Sequence, residues 1–258
     1  MKILLINDDG VYSSGLKAAY EALSEFADVT AVAPITQMSA VGRSISIMRP
    51  VRMSEVDISG TKIYAVDGTP TDCIVLGIYE IIKDVPDLTI CGINLGENLS
   101  TEAVTTSGTV CAALEAATHG SKAIAISLEM PDSKKFDLTG KQDFSLTKSF
   151  LTFLAKKAVR KFPDNVDVLN VNVPKRANGK IMITRLARSV YRVRVEKRSD
   201  PRGRKYYWIY GEEVQSAEPG TDIFALKNGY ISVTPISLDM TSPVDFNSLK
   251  RWLDEWEA

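Results

Sequence analysis

The chain opens Met1-Lys-Ile-Leu-Leu-Ile6-Asn7-Asp8-Asp9-Gly10, and the reading of these ten residues decides the fold. Ile3–Ile6 is a continuous apolar run, the pattern of a strand covered on both faces. It stops after four residues at a polar turn, too short for the apolar stretch of a signal peptide. Strand and helix patterns then alternate. Ser13 or Ser14 can cap a helix in which Leu16, Ala19, Tyr20, Leu23 and Phe26 recur at i, i+3 and i+4. Val29–Ala33 reads as a second strand, ended by Pro34. Ile45–Met48, Val51–Met53 and Lys62–Val66 read as β segments, with a turn at Arg49-Pro50. A helix is expected over Thr71–Ile82, a short strand at Leu88–Cys91, a polar loop from Gly92 to Thr106, a small-residue helix at Gly108–His119 and a strand at Ala123–Ser127. This alternation predicts an α/β fold, with a mostly parallel sheet, helices on both faces, and ligands bound beyond the carboxyl ends of the strands.

The second half is less regular. Asp143–Lys161 is an amphipathic helix with Leu146, Phe150, Phe153, Leu154 and Ala158 on one side, and Val166–Val173 follows as a strand. Between Lys175 and Lys205 stand twelve Lys/Arg against Glu196 and Asp200, a local net of +10 inside a chain whose net charge is −1. There Arg192, Arg194 and Glu196 alternate with Val193 and Val195. After Ser-Asp-Pro-Arg-Gly comes Lys205-Tyr-Tyr-Trp-Ile-Tyr210, so a β-hairpin with one polar face is predicted. A last strand at Tyr230–Thr234 and a short helix ending in Trp252 and Trp256 close the sequence. The 258 residues fit a single α/β domain, with a core over residues 1–130, a basic hairpin over 175–212 and a C-terminal helix over 240–258.

At 45 % hydrophobic and 24 % charged residues the composition is that of a soluble globular protein. No stretch approaches the ~18 uninterrupted apolar residues of a membrane span, so a cytoplasmic protein without a membrane partner is expected. The one histidine, His119, excludes zinc sites built on paired imidazoles. Cys73, Cys91 and Cys111 lack CxxC spacing, none has an Arg six residues on, and all lie among apolar or small residues. They read as buried, reduced thiols.

Chemistry is concentrated where strands end. Asp8 and Asp9 repel each other at the exit of an apolar strand, and a divalent cation would compensate them; a solvated Asn-Asp-Gly turn is the alternative. Asn94 and Asn98, in Cys91-Gly-Ile-Asn94-Leu-Gly-Glu-Asn98, are neutral oxygen donors suited to a hard cation that already has carboxylates. Ser107-Gly108-Thr109 opens a helix with hydroxyls and free N–H groups, which suits a phosphate oxygen, although Ser107 alone can also serve as a cap. A third loop, Gln37-Met-Ser39-Ala-Val-Gly-Arg43-Ser44, follows Pro34. Gly10–Ala18 is no Walker A loop, because Leu16 separates Gly15 from Lys17 and Ala18 has no hydroxyl. GxGxxG and GxSxG are absent, and Gly10 two residues after Asp8 excludes the paired-Asp aspartyl-phosphate motif.

MKILLINDDG, the loop carrying Ser39, DGTPTDC (Asp67–Cys73), CGINLGEN (Cys91–Asn98) and SGTV-AALEA (Ser107–Ala116), in this order over about the first 120 residues, resemble the SurE family of survival-protein nucleotidases. GYISVTPIS (Gly229–Ser237) is similar as well. The resemblance implies a Rossmann-like fold and a metal-dependent phosphomonoesterase releasing phosphate from nucleoside monophosphates. It also implies 3'-nucleotidase and polyphosphate activities as extensions, and a homodimer or tetramer built with an exchanged arm. It gives Asp8 and Asp9 the role of metal-binding and catalytic carboxylates, Ser39 that of a hydroxyl ligand and Asn94 that of an amide ligand. Asn98, Ser107, Gly108 and Thr109 then line the phosphate pocket, with Asn7 beside them. Ser100, Glu102 and Thr106 depart from the usual Gly, Asp and Tyr, which leaves the ligands in place and bears on substrate preference.

An all-oxygen donor set selects Mg²⁺ or Mn²⁺. One such ion would activate the water that attacks phosphorus, Asp8 or Asp9 would take its proton, and no protein nucleophile is needed. The alternatives are a mononucleotide-binding protein without turnover and a nucleic-acid-interacting protein using the basic hairpin, with Tyr206, Tyr207 and Trp208 as stacking faces. A structural arm between subunits is the preferred reading of the hairpin, because the overall charge is near zero.

Overall fold

Strand β1 (Lys2–Ile6) lies at the middle of a nine-stranded sheet, where its apolar run is fully covered. The computed structural model describes residues 1–58, 60–131, 142–189, 191–213 and 217–253. After β1 come α1 (Ser14–Ser24), β2 (Asp28–Pro34), β3 (Met53–Ile58), β4 (Thr61–Val66), α2 (Pro70–Leu76), β5 (Leu88–Leu95), α3 (Ser100–Thr106), α4 (Gly108–Thr118), β6 (Ala123–Leu128) and α5 (Ser145–Arg160). β7 (Val168–Val173), β8 (Ile181–Ile183), β9 (Tyr191–Ser199), β10 (Lys205–Glu213), α6 (Asp222–Lys227), β11 (Ile231–Ile236) and α7 (Phe246–Leu253) complete the order.

The sheet runs β3-β4-β2-β1-β5-β6-β7-β11-β8. From β4 to β7 all neighbours are parallel, while β3 is antiparallel to β4 and β11 is antiparallel to β7 but parallel to β8. The expected mostly parallel α/β sheet is therefore present. After β1 the chain builds outward through β2 and then returns to place β5 on the other side of β1. This reversal makes a topological switch point at the carboxyl ends of β1 and β5, where such sheets bind ligands.

Two apolar layers enclose the sheet. On one face α1 and α5 bring Leu16, Leu23, Leu151 and Leu154 onto Ile3, Leu5, Ile90 and Ile126. On the other, α2 and α4 bring Ile74, Val110 and Leu114 onto Leu4, Ile6 and Cys91. Alternate residues of β1 thus feed opposite cores, as a strand covered on both faces requires. Ser13 Oγ accepts from Gly15 N–H and starts α1. Gly15 must lack a side chain, since a Cβ there would stand 2.0 Å from the carbonyl oxygen of Ile93.

Several expectations are corrected. Ile45–Met48 and Val51 form no strand. Their segment is committed to the start of α2, with Ser46 N–H donating to Asp72 Oδ1 at 2.9 Å and Thr69 Oγ1 to the carbonyl of Ser44 at 2.7 Å. β3 begins instead at Met53 and pairs with β4 as an edge hairpin. The helix over Thr71–Ile82 is α2 followed by a wider π turn at Gly77–Ile82. The loop expected over Gly92–Thr106 contains the end of β5 and all of α3, and β8 and α6 were not anticipated. The basic hairpin forms as β9 and β10, paired antiparallel in a two-stranded sheet of its own. The C-terminal helix is α7, while Trp256 lies outside the described residues.

Because α1 rests directly on β5 at Gly15, Gly15→Ala is expected to destabilise the protein by about 2–3 kcal/mol through overpacking. An unchanged denaturant midpoint would contradict that packing.

Candidate active site

The exits of β1, β2 and β5 and the start of α4 meet at one edge of the sheet. β1 delivers Asn7, Asp8 and Asp9 there, and although all three are charged or polar, Asn7 is fully buried and each aspartate is 5 % exposed. Thr109 Oγ1 donates a short hydrogen bond to Asp8 Oδ1. The Asp8 carbonyl accepts from Met38 N–H at 2.7 Å, and Asp9 Oδ2 accepts from Leu95 N–H at 3.1 Å. Gly108 allows α4 to begin this close, because a Cβ there would meet Asp8 Cβ and Oδ2 at 2.8 Å.

Burial pushes both carboxyls above their ordinary pKa of 3.8, and the charge of Asp8 adds to the rise at Asp9. What opposes the rise is hydrogen bonding from Thr109 and Leu95 rather than a Lys or Arg. The pair thus has no protein cation among the described residues. Among the described residues no group of three or more His, Cys, Asp or Glu is placed to hold a metal, so any ion at this pair draws further ligands from neutral oxygens. The surroundings offer them. Asn7 Nδ2 closes the turn by donating to the Gly10 carbonyl at 3.1 Å, while its buried Oδ1 has no partner. Asn94 Nδ2 donates to the Gly96 carbonyl at 2.6 Å, which leaves the amide oxygen available. Ser39 is exposed on a loop tied on either side of it, by Met38 N–H to Asp8 and by Gly42 N–H to the Thr106 carbonyl at 2.8 Å. Arg43 extends that fastening through Nε to Glu115 Oε2 and Nη2 to Thr118 Oγ1, both at 2.6 Å.

The proposed phosphate-pocket residues divide by function. Ser107 Oγ accepts from Val110 N–H at 3.2 Å and caps α4, so its capping role is real. Thr109 gives Asp8 its hydroxyl and its backbone N–H, which makes a carboxylate its immediate partner where the sequence suggested a phosphate. Asn98 is held from below. Its N–H donates to Asn172 Oδ1 at 2.7 Å, its carbonyl accepts from Asn170 Nδ2 at 2.9 Å and Asn172 Nδ2 at 3.1 Å, and its Nδ2 donates to Ser127 Oγ at 3.0 Å. Sequence reading missed Ser127, Asn170 and Asn172. The available signal was Val168-Leu-Asn170-Val-Asn172-Val, in which asparagine occupies alternate positions of a strand buried on both faces. His119 takes no part, bonding Glu115 Oε1 and the Tyr79 hydroxyl, each at 2.9 Å, at the far end of α4. All three cysteines are free and buried, and burial raises each thiol pKa.

The family model described as "Survival protein SurE" matches residues 3–193. The chain belongs to the SurE family. A relative from Archaeoglobus fulgidus named "5'-nucleotidase SurE" is 63 % identical over the full length of both chains. One of the same name from Thermococcus gammatolerans is 52 % identical, covering 98 % of this chain and 96 % of that one. The crystal structure of the SurE protein from Aquifex aeolicus superposes with a TM-score of 0.81 at 36 % identity, covering 99 % of this chain and all of that one. Of the three departures from the SurE pattern, Ser100 is fully buried, with φ +69°, a region where glycine is at ease. Glu102 and Thr106 lie on α3 beside it.

A carboxyl whose pKa is higher folded than unfolded gives stability that is complete below the unfolded value and is lost as pH rises through the folded one. Metal-free protein is therefore expected to lose thermal stability as pH rises above about 4 toward neutrality. Mn²⁺ should restore it, and Asp9→Asn should weaken both effects, leaving the share of the pH dependence that burial imposes on Asp8. Thermal melts with EDTA and with Mn²⁺ across pH check this; a wild-type melting temperature insensitive to Mn²⁺ would contradict a cation site at the pair.

Proposed function

We propose that this protein is a divalent-metal-dependent 5'-nucleotidase that hydrolyses nucleoside monophosphates to nucleoside and phosphate, with Asp8 and Asp9 as its catalytic, metal-binding carboxylates. The carrying observation is the adjacent buried carboxylates, set at the sheet's switch point with no protein cation beside them among the described residues. The names borne by full-length relatives support the same reading. Ser39 and Asn94 supply further ligand oxygens, and this hard donor set favours Mg²⁺ or Mn²⁺. When bound, the ion polarises a phosphoryl oxygen and lowers the pKa of water.

The other contributions come from the chain. Two anionic carboxylates would repel a phosphate, so a cation held by Asp8 and Asp9 would also offset that repulsion. Asn98, Ser107 and the Gly108 N–H orient the phosphate at the N-terminus of α4, where negative charge is favoured. Asp9 receives the proton of the attacking water, because Asp8 accepts from both the hydroxyl and the N–H of Thr109, whereas Asp9 accepts from the Leu95 N–H. Hydrolysis of a monoester needs chiefly such positioning and charge neutralisation, so a site without a histidine suffices. Asp8→Asn and Asp9→Asn should each lower phosphate release from AMP by about 10²–10³-fold or more while the fold survives. EDTA should abolish the wild-type activity and Mn²⁺ restore it. Full turnover in either variant would reject the assignment.

We also propose that the basic hairpin is a subunit arm of a homodimer or tetramer. On one face Val195 pairs with Ile209 and Lys197 with Tyr207, and Val193, Val195, Tyr207 and Ile209 are all more than half exposed. Paired replacement Val195→Asp and Ile209→Asp should reduce the mass measured by light scattering to that of one chain. An unchanged mass, or micromolar binding of single-stranded RNA with a steep salt dependence, would favour the nucleic-acid reading. Among the described residues no helix is long and apolar enough to cross a membrane, and free buried thiols support the cytoplasm as the place of action.

A further inference from the structure

Asp222, the first residue of α6, is a fully buried carboxylate outside the metal and phosphate groups. Its partners are three backbone N–H groups. Oδ2 accepts from Ser100 at 2.7 Å, and Oδ1 accepts from Ala187 at 2.9 Å and from Ile223 at 2.9 Å. These donors come from separate parts of the chain. Ser100 begins α3 two residues after Asn98, Ala187 lies at the root of the basic hairpin, and Ile223 belongs to α6 itself. Around this centre the same segments are stitched again. Thr101 N–H donates to the Ala187 carbonyl at 2.8 Å, Asp222 N–H to the Arg185 carbonyl at 3.0 Å, and Ser189 Oγ to Glu102 Oε2 at 2.7 Å.

The turn fastened in this way is a strained one. Ser100 holds φ +69° and its buried hydroxyl has no partner, so neither its backbone preference nor its side chain explains the conformation. Such a residue persists only where its surroundings over-determine it. Below the turn, Asn170 and Asn172 grip both peptide groups of Asn98; above it, Asp222 grips Ser100. At its other end α3 leads directly into Ser107, whose N–H donates to the Ala103 carbonyl at 2.7 Å. Both ends of α3 therefore carry a phosphate-pocket residue, and only the Ser100 end is attached to the hairpin root through a charged group.

We propose that Asp222 is a positioning residue for the phosphate pocket, its carboxylate joining the Asn98–Ser100 turn to the root of the arm so that α3 presents Asn98 and Ser107 in register. A carboxylate is needed because all three partners donate; a carboxamide can serve Ala187 and Ile223 with its oxygen but turns a second donor toward Ser100. Asp8, Asp9 and Asn94 are bonded through Thr109, Leu95 and Gly96, whereas the hydrogen bonds of the Asp222 carboxylate go to Ser100, Ala187 and Ile223. The inference rests on the phosphomonoesterase reading and predicts a division within the site. Phosphate recognition weakens while the metal ligands stay in place.

The test is Asp222→Asn, assayed with AMP and Mn²⁺ well below its melting temperature. KM for AMP and the inhibition constant of inorganic phosphate should both rise about ten-fold or more, the effect of leaving a buried donor facing a donor. Meanwhile kcat and the Mn²⁺ activation constant should change by less than about three-fold, since their groups lie on other strands. Hydrogen exchange without substrate should show the Ser100 amide protected in wild type and open in the variant. Glu102→Ala, a surface change that cuts only the tie to Ser189, should raise KM about two-fold and keeps the question open to test if Asp222→Asn does not fold. Unchanged KM and phosphate inhibition in folded variants, with only a lower melting temperature, would overturn the proposal. Inactive wild-type protein would instead reject the phosphomonoesterase reading on which it rests.

Discussion

Two like charges at the end of a buried strand are the constraint on which this structure turns. At an effective dielectric constant near 20, two carboxylates about 4 Å apart repel by roughly 4 kcal/mol, and burial adds a desolvation cost to each. Much around β1 serves to keep the pair in place. Gly108 removes a side chain so that α4 can bring Thr109 to Asp8, the Met38 N–H pins the backbone between the two aspartates, and β5 extends to Leu95 to reach Asp9. None of these contacts supplies positive charge. The metal-free chain therefore holds an unfavourable arrangement that a cation would turn into a favourable one, which is the linkage between ligand binding and stability.

The site is mounted in two different ways. Strands are placed by non-directional apolar burial, with α1 and α5 against one face and α2 and α4 against the other. Loops are placed by directional hydrogen bonds. Arg43 reaches Glu115 and Thr118 near the C-terminal end of α4, so the Ser39 loop is anchored on the same helix that carries Thr109 at its start. The Asn98 turn is suspended between asparagines beneath it and a carboxylate above. A site whose parts come from distant positions in the chain needs such direction, because apolar contact fixes a distance more readily than an orientation.

The portions of this arrangement that were legible in sequence are those governed by local physics. Ile3–Ile6 followed by Asp-Asp-Gly carries both the central strand and the charged exit in adjacent residues. Likewise Ser13 announces α1, and the alternation of Arg192 to Glu196 announces β9. Ile45–Met48 misled because its alternating pattern was real while its hydrogen bonds were taken by the cap of α2, a competition that only tertiary structure decides. Gly92–Thr106 looked like a loop because Ser and Thr are weak helix formers. There Thr105 and Thr106 hydroxyls bond back to carbonyls of α3 itself, and its first N–H is received by Asp222, far along the chain. Asn170 and Asn172 were visible as exceptions in an apolar strand, but their partner, the backbone of Asn98, could not be read from their own neighbourhood.

Strand β7 shows what this double mounting means for divergence. Leu169, Val171 and Val173 face α5 in the apolar core, where side chains of similar volume can replace one another with modest cost. Asn170 and Asn172 alternate with them on the opposite face and meet a peptide group that requires both a donor and an acceptor. No hydrocarbon can substitute there, and a carboxylate supplies only half of what is needed. Substitutions can thus accumulate along one face of β7 and remodel the core beneath the edge that carries the aspartate pair without displacing it, while Asn170 and Asn172 on the other face admit almost none.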